Sequence, residues 1–152
     1  MKLSRASTYA LYGLAYLAAQ APGRRVPLSE IGRHNGVPEK HLGKIFVTLV
    51  RARVLASTRG VNGGFSLARQ PRDVSLLDVI EIVDGPMGLD GCLLSRKPCD
   101  DATICRLNLF WKKARAGMLG VLRTATLEDV AGPTPAAVRN GRKTRKSPAR
   151  RG

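Results

Sequence analysis

Residues 26–69 read "VPLSEIGRHNGVPEKHLGKIFVTLVRARVLASTRGVNGGFSLAR", and their pattern decides the fold. A short helical segment, "LSEIGRHN", is closed by Gly36, and Pro38 opens a second one. In that second segment Leu42, Ile45, Phe46, Leu49 and Val50 recur at helical spacing and form one apolar stripe. Glu39, Lys40, His41, Lys44, Thr48 and Arg51 take the opposite face. Two amphipathic helices across a tight glycine-containing turn make a helix-turn-helix. "VLAST" and "FSLAR" then read as short β-runs around "RGVNGG", a glycine-rich hairpin tip headed by Arg59. A hairpin placed directly after the second helix is a wing. The expected fold class is mainly α with a small β-hairpin wing: a winged helix-turn-helix followed by a long C-terminal dimerisation helix.

Upstream, Leu3, Ala6, Ala10, Leu14, Leu17 and Ala18 mark a first helix, broken by Pro22, Gly23 and Pro27. Downstream, "PRDVSLLDVIEIVDGP" predicts a helix from about Ser75, stopped by Gly85 and Pro86. From Asp101 a long helical pattern runs to Val130, with Leu107, Phe110, Trp111, Ala114, Met118, Val121 and Leu122 as its apolar stripe. A winged helix has its own core, so this stripe needs another surface, and the same helix of a second subunit is the expected cover. The organisation expected is a DNA-binding unit over 1–85 and a cysteine loop over 86–101. A dimerisation helix with a short terminal helix then covers 102–131, and a basic tail covers 132–152. The tail holds seven cations, no carboxylate and three prolines, a composition that predicts disorder.

The formal net charge is +15, so removing the tail's seven leaves +8 on the rest, and a polyanion is the expected partner of both parts. No apolar run approaches the roughly 20 residues of a membrane span, and the N-terminal segment reads as an amphipathic helix, not a signal peptide. A cytoplasmic protein without membrane association is expected. The odd cysteine number agrees, since Cys92, Cys99 and Cys105 cannot all pair within one chain.

The second helix of such a unit enters the major groove, roughly 12 Å wide, and Arg59 heads a wing suited to the minor groove. Ser29, Glu39, Lys40, His41, Lys44, Arg59 and Asn62 are the candidate DNA contacts. His34 reads as a structural residue near a helix end. The three cysteines, spaced C-x6-C-x5-C in "GCLLSRKPCDDATIC", do not follow a zinc pattern. Arg96, Lys97 and Arg106 among them favour thiolate, which suits either an iron–sulfur cluster or a metal-free redox thiol. The loop is too polar for buried, inert cysteines. An enzyme using Cys99 or Cys105 as nucleophile is disfavoured, because no histidine–acid constellation accompanies them. A non-specific architectural DNA protein is the other class left by the charge.

"MKLSRASTYAL", "VPLSEIGRHNGVPEKHLGKIF", "RGVNGGFSLAR", "SLLDVIEIVDGP" and the three-cysteine loop together resemble the Rrf-two family of bacterial winged-helix regulators. That resemblance implies a homodimer crossed through the long helix, a palindromic operator in double-stranded DNA, and often a 2Fe-2S or 4Fe-4S cluster on Cys92, Cys99 and Cys105. It implies that Arg59 enters the minor groove and that Lys40, His41 and Lys44 read the site. In cluster-bearing relatives a histidine three residues after the last cysteine is the fourth ligand. Here Asn108 stands there, a neutral amide and a poor iron ligand. In nitric-oxide-sensing relatives it is a carboxylate of the partner's first helix, and here Thr8 stands there. Asp100, Asp101, an exogenous ligand or Asn108 itself remain as candidates. The implied function is a repressor whose cysteine loop senses redox, nitric oxide or iron–sulfur status, or a cluster-free thiol-responsive relative.

Overall fold

A computed structural model of the protein describes residues 3–87 and 106–132. Helices α1 (Arg5–Ala18), α2 (Leu28–Asn35) and α3 (Glu39–Arg51) precede strands β1 (Leu55–Thr58) and β2 (Gly64–Leu67). A 3-10 turn (Pro71–Asp73), α4 (Leu76–Asp84) and α5 (Arg106–Thr124) follow. The expected mainly helical architecture with one antiparallel hairpin is what forms. The basic tail from Pro133 and the cysteine loop lie outside the described residues.

Local signals start and stop these elements. Ser4 caps α1 by accepting from the Ser7 amide at 3.0 Å. Gly36, at φ 65°, adopts the left-handed conformation that ends α2. Ser75 and Asp78 close a reciprocal capping box at the start of α4, each accepting from the other's backbone amide. In the wing, Leu55 pairs with Leu67 and Thr58 with Gly64. Val26 adds an isolated antiparallel bridge to Phe65, which ties the segment before α2 to the hairpin. Gly64 is required there: at φ 153°, a Cβ would stand 2.6 Å from the Val26 carbonyl oxygen.

The core joins α1, α2, α3, the hairpin and α4. Leu14, Ile31, Leu42, Phe46, Leu49, Val54, Leu55, Val74 and Val79 are buried together. Phe46 of α3 meets Phe65 of β2 edge to face at 5.0 Å, which fastens the wing to the helix that precedes it. The Asp84 carboxylate accepts from the Ser4 hydroxyl at 2.7 Å and the Ser7 hydroxyl at 2.6 Å, tying the end of α4 to the start of α1.

Two expectations about the last helix change. It ends at Thr124, and a bridge and turns occupy the segment where continued helix and a short terminal helix were expected. Thr126 pairs with Ser75, and the Leu127 amide donates to the Val74 carbonyl at 3.0 Å. Leu127 is fully buried in the core. The Asp129 carboxylate accepts from the Thr126 amide and hydroxyl, both at 2.8 Å, and those bonds hold it below the usual carboxylate range. This local side-chain bonding competes with helix, and the sheet-like pairing to Val74 wins.

The single apolar stripe expected on α5 is in fact two. Trp111, Met118 and Leu122 are half-buried as α5 packs along α4, whereas Leu107, Phe110, Ala114 and Val121 are exposed. Leu127→Ala is expected to destabilise the fold by about 2–4 kcal/mol, the cost of a cavity at a site fixed on both sides by backbone bonds. Urea denaturation of the variant measures it, and a loss under about 1 kcal/mol would show that the return segment is not part of the core.

Candidate nucleic-acid interface

The core stripe of α3 points its other face outward. Glu39, Lys40, His41, Lys44, Val47, Thr48 and Arg51 are all exposed, and Leu42, Ile45, Phe46 and Leu49 are all buried. Within residues 38–70 one carboxylate, Glu39, stands against six cations: Lys40, Lys44, Arg51, Arg53, Arg59 and Arg69. Asp73, Asp78, Glu81, Asp84, Glu128 and Asp129 lie instead on the 3-10 turn, on α4 and in the return segment. The head is therefore divided by charge, and a polyanion is drawn to the α3 and wing side.

The expected contact residues fall on three connected elements. Lys40, His41 and Lys44 share the exposed face of α3, with Glu39 at its first turn. Arg59 and Asn62 are exposed at the hairpin tip. Ser29, half-buried in the first turn of α2, lines a surface hollow with Gly36, Pro38 and Glu39 and so adjoins the start of α3. Among the described residues Lys40, Lys44 and Arg59 form no ion pair, in contrast to Arg24, which pairs with Glu30 at 3.0 Å. Their charge is thus free for an outside anion.

Three further groups complete the surface. Arg51 ends α3 and Arg53 follows its cap residue, holding φ 58°, a left-handed position that a side chain occupies at a cost of about 1–2 kcal/mol. Val47 is 49% exposed in the midst of the α3 cations. Helical spacing from Lys40 and Lys44 already places it on that face, although an apolar residue does not announce itself as a contact. His34 is structural: its ring lies 4.2 Å from that of Tyr16, whose hydroxyl donates to Glu30 at 2.7 Å. Burial, and then the Glu30 carboxylate, push the Tyr16 phenol above its ordinary range.

The cysteines Cys92, Cys99 and Cys105 lie outside the described residues, among which no group of three or more His, Cys, Asp or Glu is placed to hold a metal. Asn108, in the first turn of α5, is 8% exposed, and its buried Oδ1 accepts no hydrogen bond. The Thr8 hydroxyl is engaged, donating to the Ser4 carbonyl at 2.8 Å. No helix among the described residues is long and apolar enough to cross a membrane.

Comparison with known proteins agrees with this geometry. Residues 3–133 match the Rrf2 (Rrf-two) family, described as an iron-dependent transcriptional regulator. An rrf2-like HTH-type transcriptional regulator sequence of Rhodobacter capsulatus is 36% identical over 138 residues, which is 85% of this chain and 92% of that one. The structure of CymR, the global cysteine regulator of B. subtilis, superposes with a TM-score of 0.76 at 26% identity, covering 88% of this chain and 98% of CymR. T. potens IscR shares the fold with a TM-score of 0.66 at 23% identity, over 98% of this chain and 94% of that one. The chain belongs to the Rrf2 family of transcriptional regulators, with a DNA-binding fold and no enzymatic role.

Proposed function

We propose that the protein is a homodimeric, cytoplasmic repressor that reads a palindromic operator and whose cysteine loop senses redox, nitric oxide or iron–sulfur status. The observation that carries the DNA reading is the unpaired cationic face of α3 beside a hairpin tip bearing Arg59. α3 lies in the major groove, where Lys40, His41 and Lys44 meet base edges and phosphates, while Arg59 and Asn62 follow the adjacent minor groove. Ser29 and Glu39 line the strand between them.

Dimerisation is supported by the outer stripe of α5. Phe110 is 72% exposed and Val121 is 64% exposed, bare apolar surface that a lone regulatory head does not keep in water. Leu107, Phe110, Ala114, Gly117 and Val121 recur at alternating spacings of three and four, the pattern of a helix-to-helix seam.

Whether the residues fit a cluster turns on Asn108. A buried acceptor with no donor costs about 1–3 kcal/mol, and its Oδ1 sits three residues beyond Cys105. The available set is three sulfurs and one neutral oxygen, which fits an iron–sulfur cluster with one weakly held corner. Cys92, Cys99 and Cys105 would hold the group as thiolates and Asn108 would face the fourth position. When bound, the group supplies a centre that reacts with oxidants and nitric oxide. The chain's own contribution is connection: the loop joins α4, tied by Asp84 to α1, to α5, the helix of the dimer seam. A change in the loop shifts α5 against α4 and so the distance between the two wings. A cluster-free thiol sensor is the second reading, favoured by the weakness of an amide as a ligand.

Three measurements test these claims. Arg59→Ala is expected to weaken operator binding by roughly 1–3 kcal/mol in fluorescence anisotropy titrations. Equal affinity of the parent protein for selected and random duplexes would instead establish the non-specific architectural class. Phe110→Glu is expected to turn the dimer into a folded monomer by light scattering, and a parent protein that is already monomeric sinks the dimer. Protein purified without oxygen is expected to contain iron and sulfide, with Asn108→His slowing the bleaching of its visible absorbance in air. Colourless, iron-free and sulfide-free protein leaves the thiol-only sensor.

A further inference from the structure

Of the seven side chains that α3 exposes, one is apolar: Val47, 49% exposed. It stands seven residues after Lys40, three after Lys44 and four before Arg51, so a helix places it on their face. The core does not need it there, because Ile45, Phe46 and Leu49 supply the buried stripe around it. An exposed valine alone carries no meaning, since folded surfaces hold many. Its position does: it is the apolar centre of a cationic face on the helix assigned to the major groove.

A valine has no charge and no donor, so phosphates gain nothing from it. On the base edges of the major groove, the group it matches is the C5 methyl of thymine. Lysines and arginines on either side fix the helix against the backbone but carry little sequence information, which base contacts must supply. Val47 is also well prepared for the task. β-branching leaves it essentially one χ1 rotamer in a helix, so little freedom is lost on contact. The neighbouring Phe46 is fully buried against Phe65, which fixes the rotation of α3 and with it the direction in which Val47 points. The other exposed valine of the α3 and wing surface, Val61 at the wing tip, belongs to the element assigned to the minor groove, where no thymine methyl is presented.

We infer that Val47 is a specificity-determining residue that reads the methyl group of one thymine in each operator half-site. This inference rests on the proposed operator reading, and its test separates the two. The operator is first selected from random duplexes with the intact protein. Each thymine is then replaced by deoxyuridine, which removes the methyl and leaves the hydrogen-bonding edge unchanged. One thymine per half-site is expected to lose about fourfold in affinity on replacement, the equivalent of one buried methyl group. Val47→Ala is expected to lose the same factor and then to be indifferent to that replacement, whereas Val47→Ile retains the response. The salt dependence of binding stays as in the parent, because no phosphate contact is removed. A selected operator in which no thymine responds overturns the inference alone, as do losses from Val47→Ala and deoxyuridine that simply multiply. Failure to enrich any sequence overturns the operator reading and the inference with it.

Discussion

Phe46 is the side chain on which the rest of this structure depends. It is fully buried in α3, its ring stands edge-on to Phe65 of β2, and a Cβ at Gly13 of α1 would lie 2.8 Å from it. One ring thus sets the approach of α1 to α3 and the attachment of the wing. Because successive residues of a helix point about 100° apart, burying Phe46 also dictates what faces outward. Lys40, Lys44 and Val47 cannot rotate away from solvent without pulling that ring from the core. The position of Arg59 relative to Lys44 is fixed by the same contact, carried through four paired residues of hairpin. The surface proposed to match two adjacent grooves of DNA is in this way built on one buried aromatic pair.

The second constraint is at the other end of the chain. α5 is gripped beyond its C-terminus by Leu127, buried at Val74, and the Gly132 amide reaches the Ala15 carbonyl at 3.5 Å. The helix therefore belongs to its own head along its half-buried side while leaving Leu107, Phe110 and Val121 bare. Asp84 plays the matching part at the end of α4, where two serine hydroxyls hold it to α1 immediately before the chain leaves for the cysteine loop. Both ends of that loop are thus rooted in elements with firm attachments.

Local chemistry made the head legible in the sequence. "LSEIGRHN" gave the bounds of α2 because Gly36 terminates it by backbone geometry, and the start of α4 was legible near Ser75, where the folded chain closes a capping box with Asp78. The stripe of α3 was readable because its period is helical and its opposite face is uniformly polar apart from Val47. The wing was readable because glycines concentrate where its tip turns. What escaped was decided over long sequence distances. Leu127 in "TLEDV" continues a helical pattern, and only its pairing with Val74, far away in sequence, shows that it plugs the core. The residues of α5 give one broad apolar arc, and its division into an inner and an outer stripe depends on where α4 lies. Val47 was passed over because apolar residues on a polar face read as noise until the helix has a groove to enter. At the cysteines, spacing names three thiols, but a fourth ligand is a matter of spatial neighbours, and Asn108 showed its orphaned oxygen only once folded.

The attachments also limit how a signal reaches DNA under the proposed function. Within a head, α3 and the wing share one core with α1, α2 and α4, and well-packed interiors switch between discrete arrangements more readily than they bend. A perturbation at the cysteine loop therefore finds little compliance in the reading surface itself. The compliant degree of freedom is the relation of one head to the other across the outer stripe of α5. A small shift there is amplified at the wings, because both must meet the same duplex in register. Coupling free energies of about 1–3 kcal/mol, five- to 150-fold in affinity, are typical of such transitions. On that proposal the bare apolar face of α5 serves two requirements at once: it holds the heads together, and it is the place where the loop's state sets their spacing.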